Sequence, residues 1–172
     1  MFYQNTITLP VLRMQAIISL LEKVQIQAQQ KGMTDAQILD LRVSPDMFSL
    51  SKQIQIVSDN AKGMVSRLAQ KDAPKMADTE STIDELKSRL TTTISYLETF
   101  TEDDFAHADT VEARFPWVPG MKIIGADYVL TYGLPNFFFH VVMVYAILRQ
   151  HGFDIGKMDY MGNDVAFVPD AQ

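Results

Sequence analysis

Three histidines and no cysteine bound the chemistry open to this chain. Without thiols there is no disulfide, no thiolate zinc site and no cysteine nucleophile. The imidazoles are His107, His140 and His151. His140 and His151 lie eleven residues apart on one expected helix, a separation of about 16 Å that forbids a shared ion. Asn136 precedes His140 by four residues, so both side chains leave one helix face and can converge. Asparagine is a weak ligand for zinc or nickel, so a metal here would need ligands from other helices. The pair sits inside Leu134–Gly152, a stretch apolar almost all round. Such a helix is expected in the interior of a bundle. A polar group stranded there costs about 1–3 kcal/mol unless it finds a partner. Phosphate-cradling loops, dinucleotide fingerprints, nucleophile elbows, H-E-x-x-H and E-x-x-H pairs are all missing from the sequence.

The elements that would position these residues follow from periodicity. Leu9, Leu12, Ala16, Ile17, Leu20, Val24 and Ala28 predict a first helix, with Thr8 as N-cap, Pro10 in the first turn and Gly32 as its stop. Thr34 and Gln37 read as a capping box for a short turn. A second helix is expected from about Ser49 to Ala69, with Gln53, Gln55 and Asp59 beside its apolar stripe. Ser81 and Asp84 suggest the start of a third, whose stripe is Ile83, Leu86, Leu90, Ile94 and Leu97. Val111–Phe115 and Met121–Ile124, split by Pro116-Trp117-Val118-Pro119-Gly120, predict a small β-hairpin. The fourth helix is expected to start near Asp127 and to be interrupted at Gly133 and Pro135 before the inner run to Gln150. Phe137, Phe138 and Phe139 read as core. The last twenty residues, 153–172, form a tail that Ile155, Tyr160, Met161, Val165 and Phe167 could pin to the bundle. Residues 1–172 thus make one all-α domain, a four-helix bundle with a β-hairpin before its last helix.

Composition excludes further classes. The net charge of −6 carries no basic stripe, which argues against nucleic acid. His107 stands among Glu102, Asp103, Asp104 and Asp109, most simply a solvated acidic loop. The apolar run within Phe137–Leu148 is shorter than the ~20 residues that span a bilayer. No basic cluster opens the chain as in a secretory signal, and a cytoplasmic protein with no membrane partner is expected.

The run Tyr128–His140 with Pro135-Asn136-Phe137-Phe138-Phe139-His140, then Ala146-Ile147-Leu148-Arg149 and Gly152, resembles a bacterial family of unknown function. Pro45-Asp46-Met47, Gln53-Ile54-Gln55-Ile56, Ala61-Lys62-Gly63 and Asp159-Tyr160-Met161-Gly162 carry the likeness to both ends of the chain. That family is similar in turn to the DinB/YfiT-like superfamily of four-helix bundles, which includes metal-dependent enzymes and dimers. The resemblance implies a site of three histidines, one from the second helix and an H-x-x-x-H pair on the fourth ahead of an arginine and a glycine. His140, nine residues before Arg149, matches the second of that pair. Asn136 stands where the first would be, and the second helix offers Gln53, Gln55 or Asp59 in place of a histidine.

Two readings result. In one, the chain is a homodimer that binds a small molecule or serves structurally, with a polar pocket of His140, Asn136, Gln53, Asp59, Tyr132 and Tyr145 and a degenerate metal site. In the other, His140 is a metal ligand or acid/base group, with a weakly bound zinc, nickel or manganese ion, in a hydrolase or a transferase acting on a thiol cofactor. A core histidine bonded to Gln53 or Asp59 is the plainer account of His140, and satisfaction of backbone freed by Pro135 that of Asn136.

Overall fold

The computed structural model describes residues 1–162. Its long helices are α1 (Leu9–Gln30), α3 (Leu50–Ala69), α4 (Ile83–Leu97) and α5 (Leu134–Gln150), with short helices α2 (Asp35–Leu39) and α6 (Lys157–Met161). Strands β1 (Glu112–Arg114) and β2 (Lys122–Ile124) pair antiparallel, Ala113 opposite Ile123. The helix α3 packs against both α4 and α5, α1 packs on α4, and α6 lies along α1. Met14, Leu21, Ile54, Met64, Leu86, Leu90 and Phe137 fill the interior and are fully buried.

Local signals place most boundaries. Thr34 and Gln37 form the expected box at the start of α2. Ser49 caps α3, accepting from the Lys52 backbone N–H. At α4 the box is Thr82 with Glu85, one residue beyond Ser81 and Asp84: Thr82 accepts from the Glu85 N–H at 3.1 Å, and the Glu85 carboxylate returns to the Thr82 N–H at 3.1 Å. Ser81 instead hydrogen-bonds to that same carboxylate through its own N–H and hydroxyl.

Both prolines expected to start or break a helix are accommodated inside one. The first helix begins at Phe2, and Thr8 is helical with no side-chain cap. A π-helical segment, Gln4–Thr8, precedes Leu9-Pro10; another, Tyr128–Gly133, precedes Leu134-Pro135. In each, the leucine N–H reaches back five residues, to the Gln4 and Val129 carbonyls. The extra residue in the turn widens the backbone where a proline ring would strike the carbonyl four residues back. The last long helix therefore runs unbroken from Gly125 to Gln150. Gly133 is not a breaker either. A Cβ there would lie 2.7 Å from the Met64 sulfur of α3, so glycine permits the close approach of the two helices.

The hairpin rests on α3, with Ala113 and Phe115 buried. Phe153 and Ile155 are buried beyond α5, and Arg13 of α1 donates to the Tyr160 carbonyl at 2.9 Å. Val165 and Phe167 lie outside the described residues. Joined through its π segment, Gly125–Gln150 spans 26 residues and contains an 18-residue window of mean hydropathy 1.4, long and apolar enough by length and composition to cross a membrane. Its inner side nevertheless belongs to the bundle core: Phe137, Val141, Val144 and Ile147 are buried.

The cap geometry sets a direct test. Thr82→Ala should cost about 1 kcal/mol in chemical denaturation, whereas Thr8→Ala should stay within about 0.5 kcal/mol of the parent. Equal losses would contradict the assigned caps.

Candidate functional site

The helices α3 and α5 each present two polar side chains to their shared seam. On α3, Gln53 and Asn60 are seven residues apart, two turns along one face. On α5, Asn136 and His140 are one turn apart. They meet as two rungs. The His140 Nδ1 lies 2.7 Å from the Gln53 Oε1, and the Asn136 Nδ2 donates to the Asn60 Oδ1 at 3.0 Å. The lower number on α3 meets the higher on α5, so the helices run antiparallel.

The first rung fixes a tautomer. Gln53 turns its amide N–H toward the Phe48 carbonyl, 3.4 Å away, leaving its oxygen for the imidazole. A carbonyl oxygen only accepts, so Nδ1 carries the proton and Nε2 holds the lone pair. Nε2 makes no hydrogen bond among the described residues. The ring is buried, with 8% of the residue exposed, and Phe139 stands edge-on to it at 5.2 Å. Burial in these surroundings pushes the imidazole below its usual 6.5. The result is a neutral base held at Nδ1 and open at Nε2. The second rung is less complete, since the Asn60 Nδ2 is buried without a partner among the described residues.

The remaining candidates go elsewhere. Asp59 does not reach His140; it accepts from Arg89 at 2.9 Å and Lys62 at 2.8 Å. Arg89, with 2% of its side chain exposed, also bridges Asp78 and Glu80 and so ties the α3–α4 loop to both helices. Gln55 donates to Glu80. The Tyr132 ring stacks on Tyr128 and packs on Phe115 beside the hairpin. Tyr145 follows His140 by five residues, about 140° round the helix, and meets Tyr160 of α6. The two larger clefts are also distant from the rungs. One, about 730 Å³, lies between Arg42 and His151; the other, about 680 Å³, lies between α1 and α6. His151 closes the end of α5, its Nδ1 2.8 Å from the Ile147 carbonyl. Asn60 was not among the sequence candidates, although its seven-residue spacing from Gln53 marks it as a neighbour on the same face.

A metal site of the three-histidine kind does not fit this donor set. Around His140 the nearest partners are carboxamides, which bind zinc and nickel poorly. Among the described residues no three His, Asp or Glu side chains converge where an ion could sit.

The hairpin and the four long helices make the protein an all-α helical bundle with a polar α3–α5 seam. The sequence matches the family described as Domain of unknown function (DUF1993) over residues 2–161, and the chain belongs to that family. The solved structure of a DinB family member protein from Shewanella denitrificans is 33% identical, covers 97% of this chain and 95% of its own, and superposes with a TM-score of 0.92. No curated protein matches the sequence.

Two outcomes check the geometry. A depressed imidazole pKa means that the unfolded chain binds more protons than the folded one in mild acid. The stability linked to His140 is therefore complete above about pH 6.5 and is lost as pH falls through that value toward the lower folded pKa. The stability advantage of the parent over His140→Gln should shrink between about pH 7.5 and 5.5, as read by urea titration; a constant advantage would contradict the assignment. Arg89→Leu, which takes from Asp59, Asp78 and Glu80 the guanidinium they share, should cost about 3 kcal/mol in the same assay.

Proposed function

We propose that this protein is a binding or structural bundle, a homodimer, in which the α3–α5 seam keeps one imidazole in a site whose other metal-ligand positions hold amides. The observation that carries the reading is the His140–Gln53 bond. Its oxygen acceptor occupies Nδ1, and the rung above it is amide to amide. Such a seam suits a ligand that donates a hydrogen bond to the Nε2 lone pair from a hydroxyl, amine or amide. It does not suit a tightly held transition metal, whose affinity rests on several imidazole, thiolate or carboxylate ligands.

The enzymatic alternative, a divalent-metal hydrolase or thiol-cofactor transferase, requires ligands beyond His140. One feature favours a residual acid/base capacity: the neutral imidazole has a free lone pair and a fixed tautomer, as a general base requires. Fold likeness alone supplies no substrate for it.

Metal analysis of protein purified without a histidine tag separates the readings. The proposal expects far less than one ion per chain and no thermal shift on adding zinc, nickel or manganese. His140→Ala should lower stability by about 1–3 kcal/mol, because Gln53 is left without its partner. A stoichiometric metal that His140→Ala abolishes would overturn the proposal in favour of the enzyme.

A further inference from the structure

The outer side of α5 departs from the rule that the solvent face of a bundle helix is polar. From Tyr128 to Leu148 there is no Asp, Glu, Lys or Arg. Pro135, Phe139 and Val142 are exposed, with Tyr132, Met143 and Ala146 half-buried at their side. Phe139 shows 53% of its surface and Val142 46%. Tyr132, Pro135, Phe139, Val142 and Ala146 recur at steps of three and four, the spacing of a seam that packs on another helix. Phe48, 55% exposed, precedes α3, and its backbone carbonyl accepts from Gln53 beside His140.

Area and charge indicate what covers this face. The stripe leaves roughly 350 Å² of apolar surface outside, taking a large aromatic side chain at 150–250 Å². A standard interface covers about 800 Å² per partner, about 65% of it apolar in homodimers, so the patch makes up most of the apolar part of one such interface. Residues beside a twofold axis approach their own copies, and a charge there would meet its like. A chain of net charge −6 needs an uncharged face for that approach, and this stripe is uncharged along its length. Docking to a bilayer would call for a basic polar rim, which an acidic chain does not favour.

We infer that the Tyr132–Ala146 face of α5 seats a second copy of this chain about a twofold axis, and that the partner, by covering Phe139, closes the approach to His140. The inference rests on the proposed function in that a homodimer is part of that reading; it adds the surface and the link to the imidazole. Dimer formation then controls access to Nε2, because the Phe139 ring that the partner covers is the one standing against the His140 ring.

The test uses the full chain. Light scattering should give a dimer, and Phe139→Glu should halve the mass while the far-ultraviolet circular dichroism stays unchanged. Leu130→Glu, at a leucine 63% exposed beside Met1 and Phe2, should remain a dimer. The chain has no cysteine, so single substitutions Phe139→Cys, Val142→Cys and Ala146→Cys report directly on the face. At least one should give a covalent dimer under copper–phenanthroline oxidation, and Leu130→Cys should not. In folded Phe139→Glu, the His140 ring should react with diethyl pyrocarbonate several-fold faster than in the parent. A parent dimer that survives Phe139→Glu, with no cross-link from any of the three cysteines, overturns the assigned face and leaves the proposed homodimer standing. A monomeric parent overturns both. A monomer that floats with phosphatidylcholine vesicles assigns the face to a bilayer and overturns the inference.

Discussion

A polar group between packed helices must be answered by another polar group, and in this bundle that requirement is met at the α3–α5 seam. His140 and Gln53, both buried, and above them the half-buried Asn136 and Asn60, place four side chains with hydrogen-bonding groups between the two helices. Each rung contributes on the order of 1 kcal/mol when formed, and an abandoned group costs about 1–3 kcal/mol. The asymmetry matters more than the gain. It makes the seam tolerant of one arrangement and hostile to its neighbours, and it holds the imidazole in a single tautomer with one nitrogen left over.

The backbone delivers these groups by two uncommon devices. The π segment Tyr128–Gly133 lets Pro135 sit within a continuous helix, so the hairpin side of the molecule and the His140 side are carried by one rigid element. Gly133 allows that helix to close on Met64. At the other end of the chain the same sequence, Leu-Pro after a widened turn, lets α1 begin several residues early. A proline read in isolation as a start or a stop is in both places a marker of where the helix has been loosened to admit it.

The same contrast separates what could be read from the sequence from what could not. Amphipathic stripes at three- and four-residue spacing identified the long helices, and the turn chemistry between Phe115 and Met121 identified the hairpin, because local patterns decide those elements. The π segments were not legible, since nothing in Leu-Pro distinguishes a broken helix from a widened one. Asp59 looked as suitable a partner for His140 as Gln53 did. The choice depended on Arg89, thirty residues away, whose buried guanidinium claims Asp59 for the α4 side of the bundle. The three consecutive phenylalanines all read as core, yet Phe137 is fully buried and Phe139 half in the open. An all-apolar helix gives no sequence signal for which side faces inward; here the polar pair faces in and part of the apolar surface faces out.

That inversion explains how the seam sets the alignment of α3 against α5. Apolar packing alone discriminates weakly between alignments that differ by one turn, because Val, Ile, Leu and Met substitute for one another at modest cost. Slide α5 by one turn along α3 and His140 comes opposite Val57 while Asn136 comes opposite Met64, both fully buried apolar residues. The buried His140 and Gln53 then lose their partners at about 1–3 kcal/mol each, and the half-buried Asn136 and Asn60 lose theirs at less. The combined cost is a large fraction of the stability of a domain this size, about 5–15 kcal/mol. The amide rungs therefore do for this bundle what a single buried asparagine does for a coiled coil: they select one register. A histidine kept for that purpose alone would need only its Nδ1. The open Nε2 is the part that register does not explain, and it is the atom that separates a purely structural seam from a site.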